Sequence, residues 1–129
     1  MECELIKLPQ HIDDRGILTW IPKLPHDLEV KHVFFVTDTK FDRGDHAHRS
    51  TWQLVVCVTG EMWIETITKR SKNYYVLWGN EGGLLIPPMT WVEYGMENEA
   101  VALILMSFPH DEKDCIRDYG EFMDECYAK

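Results

Sequence analysis

Apolar and polar residues alternate along most of this chain with the two-residue period of half-buried strands. Residues 3–8 (CELIKL) alternate loosely and stop at Pro9, the pattern of a short edge strand. Asp13-Asp14-Arg15-Gly16 is turn chemistry, and Ile17 to Ile21 reads as a second short strand. Pro22 and Pro25 frame a loop, after which His32 to Thr37 (HVFFVT) is β-branched and aromatic and predicts a strand. DTKFDRGD is the loop that delivers the chain to His46. Trp52 to Thr59 is the clearest strand, and Gly60-Glu61 with the following MWIETIT predicts an antiparallel hairpin turning at Thr59 to Glu61. YYVLW, LLIP and TWVEY are further strands, separated by the turns Lys69 to Asn73, Asn80 to Gly83 and Pro87-Pro88. Ala100 to Phe108 is apolar almost throughout, which predicts a strand buried on both faces. Only the tail from Asp114 to Tyr127 has helical spacing, with Ile116, Tyr119 or Gly120, Met123 and Tyr127 about one turn apart.

Such a succession, about nine or ten short strands and one terminal helix, predicts an all-β sandwich or barrel. The chain's 129 residues suffice for one domain with a real core, spanning 1–129. The net charge of −9 argues against nucleic-acid binding, which needs a basic surface, yet leaves room for one small anion held by a few gathered arginines. Four scattered cysteines without a C-x-x-C pair read as reduced thiols, the usage of a cytoplasmic protein. The first residues show no basic n-region before an apolar run, and no segment is long and apolar enough to enter a membrane as a span.

The candidate chemistry lies in RGDHAHRSTWQLVVCVTG, residues 43–60. In extended backbone His46 and His48 point to one face while Ala47 points to the other. Two adjacent imidazoles suit metal ligation or acid–base chemistry. A small β-barrel carrying H-x-H on a strand resembles a cupin, a double-stranded β-helix or jelly-roll barrel. The first cupin motif ends in H-x-H, three or four residues, Glu, six residues, Gly; here His46-Ala47-His48 leads through four residues to Gln53, then six to Gly60. The ligand glutamate is therefore replaced by Gln53, and the second-motif histidine falls at Val92 or, one residue shifted, at Trp91. With two of four ligands missing, no metal is expected. Strict alternation puts Gln53 on the face opposite His48, and a bulge around Arg49 to Thr51 is needed to turn it inward.

The chain more closely resembles the dTDP-4-keto-6-deoxyglucose 3,4-ketoisomerases, the WxcM-like cupins. The resemblance rests on Asp13-Asp14-Arg15-Gly16, Val33-Phe34-Phe35, Arg43 to His48 with the following Gln53, Gly83 to Trp91, and Asp114-Cys115-Ile116-Arg117-Asp118-Tyr119 through Phe122. Cys115, where the family usually has tyrosine, Thr37, where some members carry an aromatic residue, and Val92, where some relatives carry histidine, depart from the pattern. They bear on substrate geometry and product stereochemistry.

The resemblance implies a tautomerisation within one sugar ring of a dTDP-linked keto-deoxysugar, a step in making a 3-amino-3,6-dideoxy sugar for a glycan or lipopolysaccharide. The C3 proton leaves, an enediol(ate) forms, and a proton arrives at C4. No cofactor is required, because the electrons stay in the substrate. Imidazole, with a pKa of about 6.5, suits both proton transfers, so His46 and His48 are the catalytic candidates, either one serving as base. Arg43 and Gln53 are candidates to stabilise the enediolate oxygens. The pyrophosphate calls for cations, with Arg15, Arg43, Arg49 and Lys72 available. Trp52, Trp63, Tyr75, Trp78 and Trp91 are candidate platforms for the base, and the resemblance favours Trp91, at the barrel mouth beside Glu93. The tail reads as packing, with Ile116, Phe122 and Met123 covering an open barrel end and Arg117 paired with acidic neighbours. The family also implies a homodimer with exchanged N-terminal strands, which brings Arg15 to the partner's active site. A metal-dependent cupin, a related nucleotide-sugar epimerase and a non-catalytic sugar-binding cupin remain alternatives at this level.

Overall fold

The computed structural model describes residues 1–37 and 43–128. Its strands are β1 (Glu4–Lys7), β2 (Gln10–Asp13), β3 (Gly16–Thr19), β4 (His32–Val36), β5 (Arg43–His48), β6 (Gln53–Thr59), β7 (Glu61–Ile67), β8 (Lys72–Trp78), β9 (Gly82–Ile86), β10 (Trp91–Met96), β11 (Val101–Met106) and β12 (Cys115–Ile116). A helix, α1 (Tyr119–Tyr127), follows. Two five-stranded sheets run β1-β9-β6-β11-β4 and β12-β5-β10-β7-β8, while β2 and β3 form a separate ribbon. Every strand pair is antiparallel. This is the cupin jelly-roll: alternate residues of each sheet meet inside, including Val55, Cys57, Leu84, Ile86 and Ile104 from one and Met62, Ile64, Leu77, Val92 and Met96 from the other.

The outer face of the first sheet is apolar too. Leu54, Val56, Leu85 and Leu105 pack beneath Ile21, Leu24 and Leu28 of the loop before β4 and Trp52 of the β5–β6 corner. That second layer explains the nearly unbroken apolar run of β11.

Three sequence expectations need correction. The expected hairpin at Thr59 to Glu61 does not form, because β6 pairs with β9 and β11 while β7 pairs with β8 and β10. Gly60 instead turns a corner between sheets at φ +84°, where an added Cβ would lie 2.8 Å from the Ala100 methyl. A tight glycine turn serves a hairpin and a corner equally, so the local signal did not distinguish them. The second correction is β2, which follows Pro9 directly and pairs with β3 around the Asp13 to Gly16 turn; its polar Gln10-His11 hid it. The third is the tail. The helix covers only Tyr119–Tyr127, started by Asp118, whose side chain accepts from the Glu121 N–H. Ile116 lies in β12, paired with Ala47 of β5. Both placements bury Ile116, so its spacing alone did not decide between them. Of the expected loop DTKFDRGD, residues 38–42 lie outside the described residues, and Arg43 already belongs to β5.

α1 and β12 close over the outer face of β5. Ala47, Trp91, Ile116 and Phe122 form a buried cluster there, and Arg49 clamps it by donating to Glu125 Oε1 (2.9 Å) and Oε2 (2.7 Å) and to the Lys113 carbonyl (2.6 Å). Phe122 is fully buried. Phe122→Ala is therefore expected to cost about 3–5 kcal/mol, measured as a lower urea midpoint at unchanged m-value. A loss under about 1 kcal/mol, the size of a surface change, would show that α1 is not anchored this way.

Candidate active site

The site grows from β5. Ala47 is buried under α1, so its neighbours His46 and His48 turn to the opposite face, into the barrel. Their rings stand edge to face with centroids 4.9 Å apart. Because β12 pairs along β5, with Cys115 opposite His48, it delivers Asp114 to the same place. Asp114 Oδ2 lies 3.2 Å from His48 Nδ1. The same oxygen accepts from Thr51 Oγ1 at 2.6 Å, and Oδ1 accepts from the Ser50 N–H at 2.8 Å. The Arg49 N–H also donates to the Asp114 carbonyl at 2.8 Å.

A carboxylate can only accept, so Nδ1 of His48 carries the proton and Nε2 presents a lone pair. That Nε2 is buried, and among the described residues it has no hydrogen-bond partner; His46 Nδ1 is in the same position. Burial, first, and the neighbouring His46, second, push the His48 pKa below its ordinary value, while Asp114 pulls it back. Burial works to raise the Asp114 carboxyl, but hydrogen bonds from Thr51 and Ser50, with His48 beside it, hold it below the usual carboxylate value. Cys115 Sγ sits 3.8 Å from His48 Nδ1, and burial raises its thiol, which stays protonated.

Gln53 is buried and stands opposite Met106 and Ile86, both core residues, so it faces the interior. No bulge at Arg49 to Thr51 is involved: the chain turns a corner into the other sheet, and the alternation starts afresh at β6. The bulge lies instead on the other side of the histidines, between β5 and β10, and brings Arg43 opposite Tyr94. Val92 takes the inward position opposite His46.

Five other expected site residues lie elsewhere. Trp91 is 4% exposed and packs beneath α1 against Tyr119 and Phe122, centroids 5.4 and 5.7 Å away. It is not at the barrel mouth and offers no face to a base, because the helix covers it. Glu93 faces outward, and the neighbouring Asp45 carboxyl, with burial, raises its pKa. Lys72 is exposed on the outer side of β8, 3.4 Å from Glu65. Arg15, 84% exposed at the ribbon tip, pairs with Asp13 at 2.6 Å. Arg49 is occupied by Glu121 and Glu125, and Arg117 pairs with Glu112. Thus His46, His48 and Arg43 from β5 and Gln53 from β6 turn toward the interior between the two sheets. Asp114 was missed as a functional residue, although it opens the tail motif, because a two-residue strand has no periodicity to read. Among the described residues no three His, Cys, Asp or Glu side chains are grouped to hold a metal ion.

Comparison with known proteins finds relatives along nearly the whole chain. Residues 1–127 match the family model described as FdtA: WxcM-like, C-terminal. The TDP-4-oxo-6-deoxy-alpha-D-glucose-3,4-oxoisomerase of Aneurinibacillus thermoaerophilus is 31% identical over 126 residues, covering 95% of this chain and 91% of that protein. QdtA, a sugar 3,4-ketoisomerase from Thermoanaerobacterium thermosaccharolyticum solved in complex with TDP, superposes with a TM-score of 0.91 at 30% identity, covering 98% of this chain and 95% of that one. WlaRA, a TDP-fucose-3,4-ketoisomerase from Campylobacter jejuni, gives 0.87 at 26% identity, covering 99% and 98%. With its paired histidines inside a jelly-roll barrel and these relatives along nearly its whole length, the chain belongs to the FdtA/WxcM-like family of TDP-sugar 3,4-ketoisomerases.

Proposed function

We propose that this chain converts dTDP-4-keto-6-deoxy-D-glucose to a dTDP-3-keto-6-deoxyhexose, with His48 as the proton carrier. The observation that carries the reading is the buried, unpartnered Nε2 of His48 opposite an Nδ1 held by Asp114. A base set near neutrality and fixed in one tautomer takes the C3 proton. The electrons of the C3–H bond form the C3–C4 double bond as the C4 carbonyl oxygen takes up charge. The imidazolium then returns its proton to C4 while the C3 hydroxyl gives up its proton to become the carbonyl and the C4 oxygen gains one to become the hydroxyl. Oxidation at C3 balances reduction at C4, so the reaction itself calls for no redox cofactor.

Asp114 stabilises the imidazolium that exists between the two transfers, and His46 is close enough to disfavour a second positive charge. Arg43 on β5 and Gln53 on β6, turned toward the interior from the two sheets, are the candidates to meet the enediolate oxygens. The thymidine diphosphate handle is supported by QdtA, solved in complex with TDP, and by the TDP-sugar names of the other relatives. A 3-keto product suits transamination, which fits synthesis of a 3-amino-3,6-dideoxy sugar. Such a substrate belongs to the cytoplasm, in keeping with four free cysteines. No helix among the described residues is long and apolar enough to cross a membrane.

The chain acts as a homodimer that exchanges its N-terminal strands. The β2–β3 ribbon supports this: Ile12, Ile17, Leu18 and Trp20 are exposed on it, apolar surface that a second copy would cover, with Arg15 at its tip.

Proton NMR of dTDP-4-keto-6-deoxyglucose in deuterated buffer tests the reaction. The wild type is expected to build up a 3-keto sugar, with its C4 configuration read from coupling constants. His48→Asn should still bind dTDP and lose about 10²-fold or more of the rate. No 3-keto product from the wild type would refute the reading.

The acid side of the pH profile tests the Asp114 contact separately. His48 must be unprotonated, and its pKa is depressed, so kcat/KM should hold to below about pH 6.5, imidazole's ordinary value. Asp114 raises that pKa, so removing its charge lowers it further. Asp114→Asn is expected to move the acid limb to lower pH while kcat falls by about 10²-fold or more. A limb that stays in place or moves upward would contradict the pairing.

A further inference from the structure

β5 and β10 do not keep one register. Val92 stands opposite His46, but Glu93 stands opposite Gly44 and Tyr94 opposite Arg43, leaving Asp45 as an extra residue on β5. The backbone is shaped for it: Gly44 has φ +92° and Asp45 φ +54°, and a Cβ on Gly44 would lie 2.6 Å from the Val92 carbonyl oxygen. One extra residue reverses the facing of everything before it. Without it, Arg43 would share the outward face of Ala47. With it, Arg43 shares the interior face of His46 and His48.

Tyr94 is the next interior residue of β10 after Val92, packed against the core. Its ring is the diagonal cross-strand neighbour of His46, a separation that aromatic side chains span. Arg43 is the register partner of Tyr94, and its positive charge works to lower the phenol's pKa. A guanidinium can only donate, so Arg43 makes no claim on the Tyr94 proton, which stays available to an acceptor. Burial, the largest influence, keeps this phenol above its ordinary pKa despite the cation beside it, so it stays protonated at neutral pH.

We propose that Tyr94, opposite Arg43, is a catalytic residue that moves the oxygen-borne proton while His48 moves the carbon-borne one. This rests on the ketoisomerase reading. As His48 Nε2 takes the C3 proton and the C3–C4 double bond forms, the C4 carbonyl oxygen takes the Tyr94 proton, and Arg43 faces the resulting phenolate. In the second half, the C3 hydroxyl returns a proton to Tyr94 and becomes the carbonyl, and His48 protonates C4. Each residue ends as it began. The two carriers stand on neighbouring strands of one sheet, β5 and β10, with Asp114 beside His48 and Arg43 opposite Tyr94.

Tyr94→Phe removes only the hydroxyl and tests the assignment against the wild type in one assay with dTDP-4-keto-6-deoxyglucose. Expected is a kcat lower by about 10²- to 10⁴-fold, with KM, dTDP affinity and thermal midpoint close to wild type. An active wild type with a variant within about threefold of its kcat would overturn the role of Tyr94 alone. So would a fall in kcat matched by an equal loss of dTDP affinity or by a collapsed midpoint, since that is the mark of a packing role. An inert wild type would overturn the ketoisomerase reading and the Tyr94 role with it.

Discussion

Asp114 reaches His48 across two strands that share only two paired positions, and nearly everything at this end of the barrel serves that contact. The β12–β5 pairing is too short to persist alone. It is held from behind by the apolar cluster under α1, where Ile116 and Phe122 bury against Ala47 and Trp91. It is held at its side by Arg49, whose backbone N–H and guanidinium bind the Asp114 and Lys113 carbonyls and the Glu125 carboxylate. A carboxylate and an imidazole taken out of water each lose solvation, and the loss is recovered only if every remaining lone pair finds a donor. Asp114 meets that condition through Thr51 and Ser50. His48 does not: its Nε2 is buried and has no hydrogen-bond partner among the described residues.

Two devices in the backbone aim the rest. The corner at Arg49 to Trp52 carries the chain from one sheet to the other, so that Gln53 enters the same interior without a bulge. The bulge at Gly44-Asp45 turns Arg43 inward and sends Asp45 outward toward Glu93. Both are local changes in the alternation of facing, and each turns one polar residue toward the interior.

Much of the fold was legible because the two-residue period survives in β4, β6, β7 and β11, and the interior facing of His46 and His48 followed directly from their spacing around Ala47. What the sequence hid has physical reasons. Gly60 carries the same mark for a hairpin and a corner, so the pairing partners of β6 and β7 could not be read locally. Trp91 and Val92 lie on opposite faces, and only the helix packed on one of them shows which is covered. The inward turn of Arg43 depends on one unpaired residue in β5, and the role of Asp114 depends on contacts across more than sixty residues of chain.

The central claim is that His48 is a neutral imidazole protonated on Nδ1, with Nε2 free. Nitrogen-15 NMR of the histidine side chains in the full-length wild-type protein at neutral pH reads this directly. The account predicts a protonated, pyrrole-type Nδ1 and an unprotonated, pyridine-type Nε2 for His48, the Nδ1 signal changing in Asp114→Asn. A His48 protonated on Nε2, or on both nitrogens, would contradict it.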